Sequence, residues 1–93
     1  MSTEVSHNES EQRYEIHVDG ELGGYLVAQP DGDVVTLPHT EIDERFEGQG
    51  LASQLVTAAL EDIRSHGQRI RPTCPYVKQF LQKHTEYADL VAE

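Results

Sequence analysis

The chain has 93 residues, enough for one domain with a single small hydrophobic core. Its formal charge of −10 argues against nucleic acid or an anionic membrane surface as a partner, because both require a basic face. No apolar run is long enough to cross a membrane, and a single cysteine, Cys74, excludes an internal disulfide and is typical of a reducing compartment. We therefore expect a soluble, cytoplasmic protein, and its lysine-poor, acidic composition would also suit a high-salt host.

The first part of the chain predicts strands after a disordered lead. Residues 1–12 are polar and acidic and lack apolar periodicity, so we expect them to be disordered. From Arg13 to Val18 apolar and polar residues alternate, which predicts a half-buried strand. The run Gly24–Gln29 predicts a second strand, followed by a turn at Pro30–Asp33.

The middle of the chain predicts two more short strands, Val34–Leu37 and His39–Asp43. Pro38 separates them because proline has no N–H to donate to a neighbouring strand.

Two helices are predicted in the second half. The first begins near Gly48 or Gln49 and ends at Gly67, and its apolar residues recur at helical spacing over a wide arc. A short strand, Gln68–Thr73, should pair in parallel after this crossover. A second helix of about nine residues follows, with Pro75 at its first position.

The segment Arg45–Ala52, directly before the long helix, contains two glycines separated by one residue. Glycines let the backbone approach a ligand closely, and the first turn of a helix offers unpaired N–H groups at the positive end of its dipole, so the predicted guest is a phosphate group. A P-loop would need a lysine after the second glycine, and a dinucleotide fold would need a third glycine where Ser53 stands. A tight turn without a ligand is the structural alternative.

The same segment resembles the acetyl-coenzyme A motif of the GNAT superfamily of N-acetyltransferases, written Gln/Arg-x-x-Gly-x-Gly/Ala. Together with the runs His39–Ile42, Cys74–Tyr76 and Glu86–Val91, it resembles the short stand-alone GNAT-like domains in particular. The resemblance implies an α+β fold, with one GNAT-like acetyl-CoA-binding domain over residues 13–93. Its sheet would be mostly antiparallel, splayed and of about five strands, with the long helix after the fourth strand and the shorter one after the fifth.

The resemblance also implies acetyl-CoA as the cofactor and acetyl transfer to an amine as the reaction. Coenzyme A would lie in the splay, with its pyrophosphate on the glycine loop and its pantetheine arm along strand His39–Asp43. The implied cofactor-binding residues are Thr40, Ile42, Arg45, Glu47, Gly48, Gln49, Gly50, Leu51 and Ala52. The chain lacks the extra elements that wall the acceptor site in the wider superfamily, so the acceptor, a small molecule or a protein lysine, is not specified. The protein would be a monomer or a homodimer.

Four residues are candidates for catalysis: Cys74, His39, Glu41 and Tyr76. Pro75 makes Cys74 the N-cap of its helix, where the dipole stabilises an anion by about 0.3–1 kcal/mol, less than one pKa unit. His39 is the base that we pair with this thiol. Tyr76 could protonate the departing thiolate, and Glu41 could accept the proton of the incoming ammonium.

Each candidate has a structural alternative. Cys74 and His39 could be a small buried cysteine and a turn histidine, Tyr76 a core aromatic, and Glu41 a solvated strand carboxylate. The histidines show no metal-ligand spacing, so no metal site is predicted. Two further interpretations of the whole chain stay open: a non-catalytic module that binds coenzyme A or a partner, and a plain phosphate-binding domain.

Overall fold

The computed structural model describes residues 2–92. In chain order the strands are β1 (Thr3–Asn8), β2 (Arg13–Val18), β3 (Glu21–Val27), β4 (Gln29–Asp31), β5 (Val34–Leu37), β6 (Thr40–Ile42) and β7 (Arg69–Pro72). The α-helices are α1 (Leu51–Ser65), between β6 and β7, and α2 (Pro75–Lys83), after β7. Short 3₁₀ helices occupy Glu44–Phe46 and Thr85–Leu90. None of the helices described is both long and apolar enough to span a membrane.

The strands form two sheets, of order β1-β2-β3-β6 and β4-β5-β7. All pairs are antiparallel except β5 with β7, which is parallel as expected for a strand–helix–strand crossover. The predicted alternation in β2 is confirmed, since Tyr14, Ile16 and Val18 are buried. Helix α1 packs its apolar stripe on the sheets and forms the centre of the core with Leu51, Leu55, Val56, Ala59, Leu60 and Ile63.

The prediction of a disordered lead over residues 1–12 is wrong for Thr3–Asn8. This segment is β1, and it pairs with β2 in a continuous register from Thr3 opposite Val18 to Asn8 opposite Arg13. Hydrophobic periodicity does not detect such a strand, because most of its side chains are exposed and backbone hydrogen bonds hold it to the edge of β2.

The predicted α+β fold with mostly antiparallel pairing is confirmed, but the strand count differs: residues 2–92 form seven strands in two sheets, not one sheet of about five. The chain passes from one sheet to the other at Pro38, because β5 pairs with β7 whereas β6 pairs with β3. The β5–β7 register ends where Leu37 lies opposite Pro72, and the Leu37 carbonyl then accepts hydrogen bonds from the N–H groups of Thr73 and Cys74. Beyond this point β6 belongs to the other sheet and the chain after β7 enters α2, so the two sheets part here.

The ends of α1 are set by two glycines. Gly50 is the N-cap with φ of +75°, so the helix begins at Leu51, slightly later than predicted. Gly67 has φ of +70° and follows the C-cap, as predicted, and the Gly67 and Gln68 N–H groups donate to the carbonyls of Arg64 and Ile63.

The C-terminal segment is held by Tyr87, whose buried ring carries a hydroxyl that donates to Glu61 Oε2 at 2.6 Å. This hydrogen bond, with burial and nearby carboxylates, raises the pKa of Tyr87 to about 12. An unfolded tyrosine ionises near pH 10. The stability contributed by this group is therefore complete below about pH 10 and is lost as the pH rises toward about 12.

Tyr87→Phe is expected to flatten the alkaline loss of stability. Urea unfolding at about pH 9 and about pH 11 should show a smaller fall in the free energy of unfolding for the variant than for the wild type, because its unfolded state has one fewer phenol to ionise. Unfolding at pH 7 supplies the reference for both proteins. An identical fall in the two proteins would contradict the assignment.

Candidate functional site

The first turn of α1 opens onto a small cavity of about 240 Å³. Gly48 and Gly50 have φ of +81° and +75°, and among the described residues no atom beyond the adjacent residues lies within 4 Å of where a Cβ would stand at either position. No side chain of residues 2–92 caps the helix, so N–H groups of its first turn are available to a ligand. The cavity is lined by Ile42, Phe46, Glu47, Gly48, Gly50, Leu51, Ala52, Ser53 and Tyr76. We call this cavity the cradle.

Arg45, expected to assist the cradle, is turned toward carboxylates instead. Its guanidinium lies 3.2 Å from Asp43 Oδ1 and 3.3 Å from Glu21 Oε2, and Arg45 does not line the cradle. The side-chain hydrogen bond from Arg45, with the backbone one, lowers the pKa of Asp43. Gln49 is exposed and also lies outside the cradle lining.

Cys74 lies at the N-terminus of α2, where the two sheets diverge, and only 4 % of its surface is exposed. Its sulfur is 3.4 Å from the hydroxyl oxygen of Thr40 on β6. Burial opposes ionisation of this thiol, but the Thr40 hydroxyl and the backbone N–H groups of Val77, Tyr76 and Thr40 outweigh it and lower the pKa of Cys74. The predicted N-cap position is confirmed, and the thiolate is stabilised there by neutral donors.

His39 does not meet Cys74. Its Nε2 lies 3.9 Å from Glu41 Oε1, and its ring lies against that of Tyr25 at 6.1 Å between centroids. Successive side chains of a strand point to opposite faces, so His39 and Glu41 share one face of the strand while Thr40 points to the other, toward Cys74. The expected His39–Cys74 pair is therefore not formed.

A second and larger cavity, of about 640 Å³, lies along β3 and β6. Glu41 lines it, and Glu41 Oε2 accepts a hydrogen bond of 2.9 Å from the Tyr25 hydroxyl, which raises the pKa of Tyr25. Its other lining residues are Leu22, Gly24, Tyr25, Thr40, Ile42, Asp43, Glu44 and Glu47. Among the described residues several carboxylates and no basic side chain line this cavity, and such a surface favours a cationic guest.

Tyr76 joins the Cys74 region to the cradle. It follows Cys74 by two residues, its side chain is half-buried, and it lines the cradle. Burial raises the pKa of its phenol, which keeps the hydroxyl protonated and able to donate. Within residues 2–92 no three His, Cys, Asp or Glu side chains are placed to hold a metal ion.

The sequence analysis did not predict several features of the site. These are the Thr40–Cys74 contact, the position of Tyr25 beside Glu41, and the presence of Phe46 and Ser53 in the cradle wall. Alternation places Tyr25 on the face of β3 opposite Leu26, but only the pairing of Tyr25 with Glu41 brings the two side chains together. That pairing joins residues far apart in the chain and has no local signal.

Residues 13–90 match the family model for the GCN5-related N-acetyltransferases, so the chain belongs to that family. Protein NATD1 of Bos taurus is 26% identical over 82 residues, covering 86% of this chain and 73% of the relative. The solution structure of a GCN5-like protein from Staphylococcus aureus has a TM-score of 0.73 at 22% identity and covers 96% of this chain and 87% of that one. The ribosomal-protein-S18-alanine N-acetyltransferase of Escherichia coli has a TM-score of 0.66 at 15% identity, covering 78% and 52%.

Proposed function

We propose that this protein binds acetyl-CoA and transfers its acetyl group to an amine. The observation that carries the proposal is the uncapped first turn of α1, which opens onto the cradle at the point where the sheets diverge. Backbone N–H groups and the helix dipole at this position suit a pyrophosphate, and the two positive-φ glycines leave it room. Acetyl-CoA would supply a thioester as the acetyl donor.

The cradle residues proposed to hold the pyrophosphate are Glu47 through Ala52, chiefly through backbone N–H groups. β6 is the edge strand of its sheet and offers the backbone of Thr40 and Ile42 to the pantetheine arm. The Arg45 guanidinium would have to leave Asp43 and Glu21 to contribute, so we assign it a smaller role than the helix N-terminus.

The acceptor is proposed to enter by the acidic cavity, where Glu41 can take a proton from an ammonium group. Tyr25 and His39 border Glu41 and orient its carboxylate. On the other side of the site, Tyr76 is the proposed donor to the departing thiolate. Cys74 supports a second route, in which the acetyl group rests on its sulfur before the amine arrives, and its lowered pKa favours that route.

Glu41→Gln tests the assignment of the base. With acetyl-CoA and a panel of small amines and lysine peptides, we expect kcat/KM to fall about 100-fold, because loss of a general base typically costs that much or more. Glu44→Gln removes the same charge from the same cavity and should lose much less activity. Equal losses in the two variants would show that cavity charge matters and that Glu41 is no base.

Intact mass after incubation with acetyl-CoA alone separates the two routes. A gain of one acetyl group at Cys74 would establish the covalent route, and an unmodified thiol during turnover would exclude it.

A non-catalytic coenzyme A-binding module is the second candidate. It is favoured by the exposure of His39 and Glu41, whose side chains are 55% and 58% exposed, since a base in open solvent is poorly shielded from water. Coenzyme A would raise the melting temperature in either case, whereas acetylation of the amine panel occurs only with the enzyme. A plain phosphate-binding domain would be stabilised equally by pyrophosphate and coenzyme A.

A further inference from the structure

The contact between Thr40 and Cys74 gives the thiol a partner on another element. Thr40 lies on β6, and Cys74 precedes α2 by one residue, 34 positions along the chain. The Thr40 oxygen and the Cys74 sulfur are 3.4 Å apart, within hydrogen-bond range for sulfur. Within residues 2–92 no charged side chain is among the groups that act on the sulfur; each of them is a neutral hydrogen-bond donor.

We propose that Thr40 is the positioning residue for Cys74: its hydroxyl donates to the sulfur, holds the thiolate between β6 and the first turn of α2 and sets its reactivity, a task for which His39 is misplaced. The proposal rests on the proposed function only in placing the sulfur beside the acetyl group. The reactivity itself is measurable without any cofactor.

The geometry gives Thr40 this role for two reasons. Its backbone is fixed by pairing with Leu26 on β3, so the hydroxyl does not depend on a flexible loop. The sulfur is held from the other side, because the Cys74 N–H donates to the Leu37 carbonyl at 3.0 Å and the Cys74 carbonyl accepts from Lys78 at 3.0 Å. Two rigid elements therefore define the distance between oxygen and sulfur. The first-turn N–H groups of Tyr76 and Val77 complete the set of donors.

Thr40→Val keeps the shape of the side chain and removes the hydroxyl. We expect the midpoint of the pH profile for alkylation of Cys74 by iodoacetamide to rise by about one pH unit, because a hydrogen bond to a charged group is worth about that much. The rate below both midpoints should fall about tenfold, while the plateau at high pH should change little. The chain has a single cysteine, so the mass of the peptide that contains Cys74 reports alkylation of this thiol.

Three further variants complete the experiment. Thr40→Ser restores a hydroxyl and should return the midpoint toward the wild-type value. Thr36→Val makes the same substitution on β5 and controls for a general effect of valine on strands. His39→Gln should leave the midpoint unchanged, since His39 points away from the sulfur.

An unchanged midpoint in Thr40→Val, or a shift in His39→Gln equal to that expected for Thr40→Val, would overturn the proposal. Circular dichroism and melting temperature establish whether Thr40→Val is folded. If it is not, Thr40→Ala, which also removes the hydroxyl, gives the same test. Failure of the proposed function would look different: coenzyme A would not stabilise any variant, while the midpoints would still differ.

Discussion

Gly48→Glu is expected to weaken coenzyme A binding on the order of 100-fold. The residue has φ of +81°, which a side chain tolerates at a cost of about 1–2 kcal/mol, and its Cβ would meet open space. The fold should therefore survive. The new carboxylate would stand at the cradle, where the pyrophosphate is proposed to lie, and juxtaposed like charges cost several kcal/mol. Isothermal titration of coenzyme A into both proteins measures the loss.

Gly67→Glu is the matched control for this variant. Gly67 has φ of +70°, also has open space where a Cβ would stand, and lies at the other end of the same helix, about 22 Å away. Gly67→Glu brings the same backbone strain and the same charge as Gly48→Glu. Its melting temperature should therefore fall by a similar amount, while its affinity for coenzyme A stays near that of the wild type. Undiminished binding in Gly48→Glu would defeat the cradle assignment, and equal weakening in both variants would attribute the effect to net charge.

Gly24→Ala is expected to destabilise the protein and to disturb the edge of the splay. A Cβ at Gly24 would lie 2.5 Å from Ile42 Cδ1 and 2.6 Å from the carbonyl oxygen of Glu41. The side chain of Ile42 can move, but the Glu41 carbonyl is backbone of β6, so the two strands must separate. Overpacking of this kind costs about 1–3 kcal/mol. We expect the melting temperature to fall by about 10 °C, since each kcal/mol shifts a domain of this size by about 4–8 °C.

Gly23→Ala separates crowding of β6 from the general effect of alanine in β3. A Cβ at Gly23 would meet only side-chain atoms, the nearest being Val18 Cγ2 at 3.1 Å. These side-chain atoms can shift by a few tenths of an ångström, so the melting temperature of Gly23→Ala should fall much less than that of Gly24→Ala. If β6 carries the pantetheine-binding edge, Gly24→Ala should also lose affinity for coenzyme A. Equal melting temperatures for the two variants would contradict the close approach of β3 and β6.

Local features of the fold were predictable because their physical cause is local. The helical periodicity of α1, the C-terminal glycine Gly67 and the proline that opens α2 each act within a few residues. The alternation in β2 likewise shows its buried face directly in the sequence. The edge strand β1 was missed because it is held by backbone hydrogen bonds to another strand, which leave no pattern in the side chains.

The same distinction between local and long-range causes applies to the candidate site. The glycine loop was predicted by residue type, because positive φ at Gly48 and Gly50 demands residues without a Cβ. The Arg45 guanidinium is held chiefly by Asp43, two residues before it, and Glu21 is a second partner that reaches it only after β3 and β6 have paired. A motif position therefore identified the residue and not the direction of its side chain.

The sequence by itself determined the helices, the glycine loop at the start of α1 and the resemblance to the family that the comparisons then confirmed. Only the tertiary structure decided which residue accompanies Cys74. His39 and Thr40 are neighbours in the chain, yet a strand sends their side chains to opposite faces, and the face that meets α2 is set by the pairing of β6 with β3. Because that pairing joins distant segments, the choice of Thr40 over His39 was beyond any local pattern.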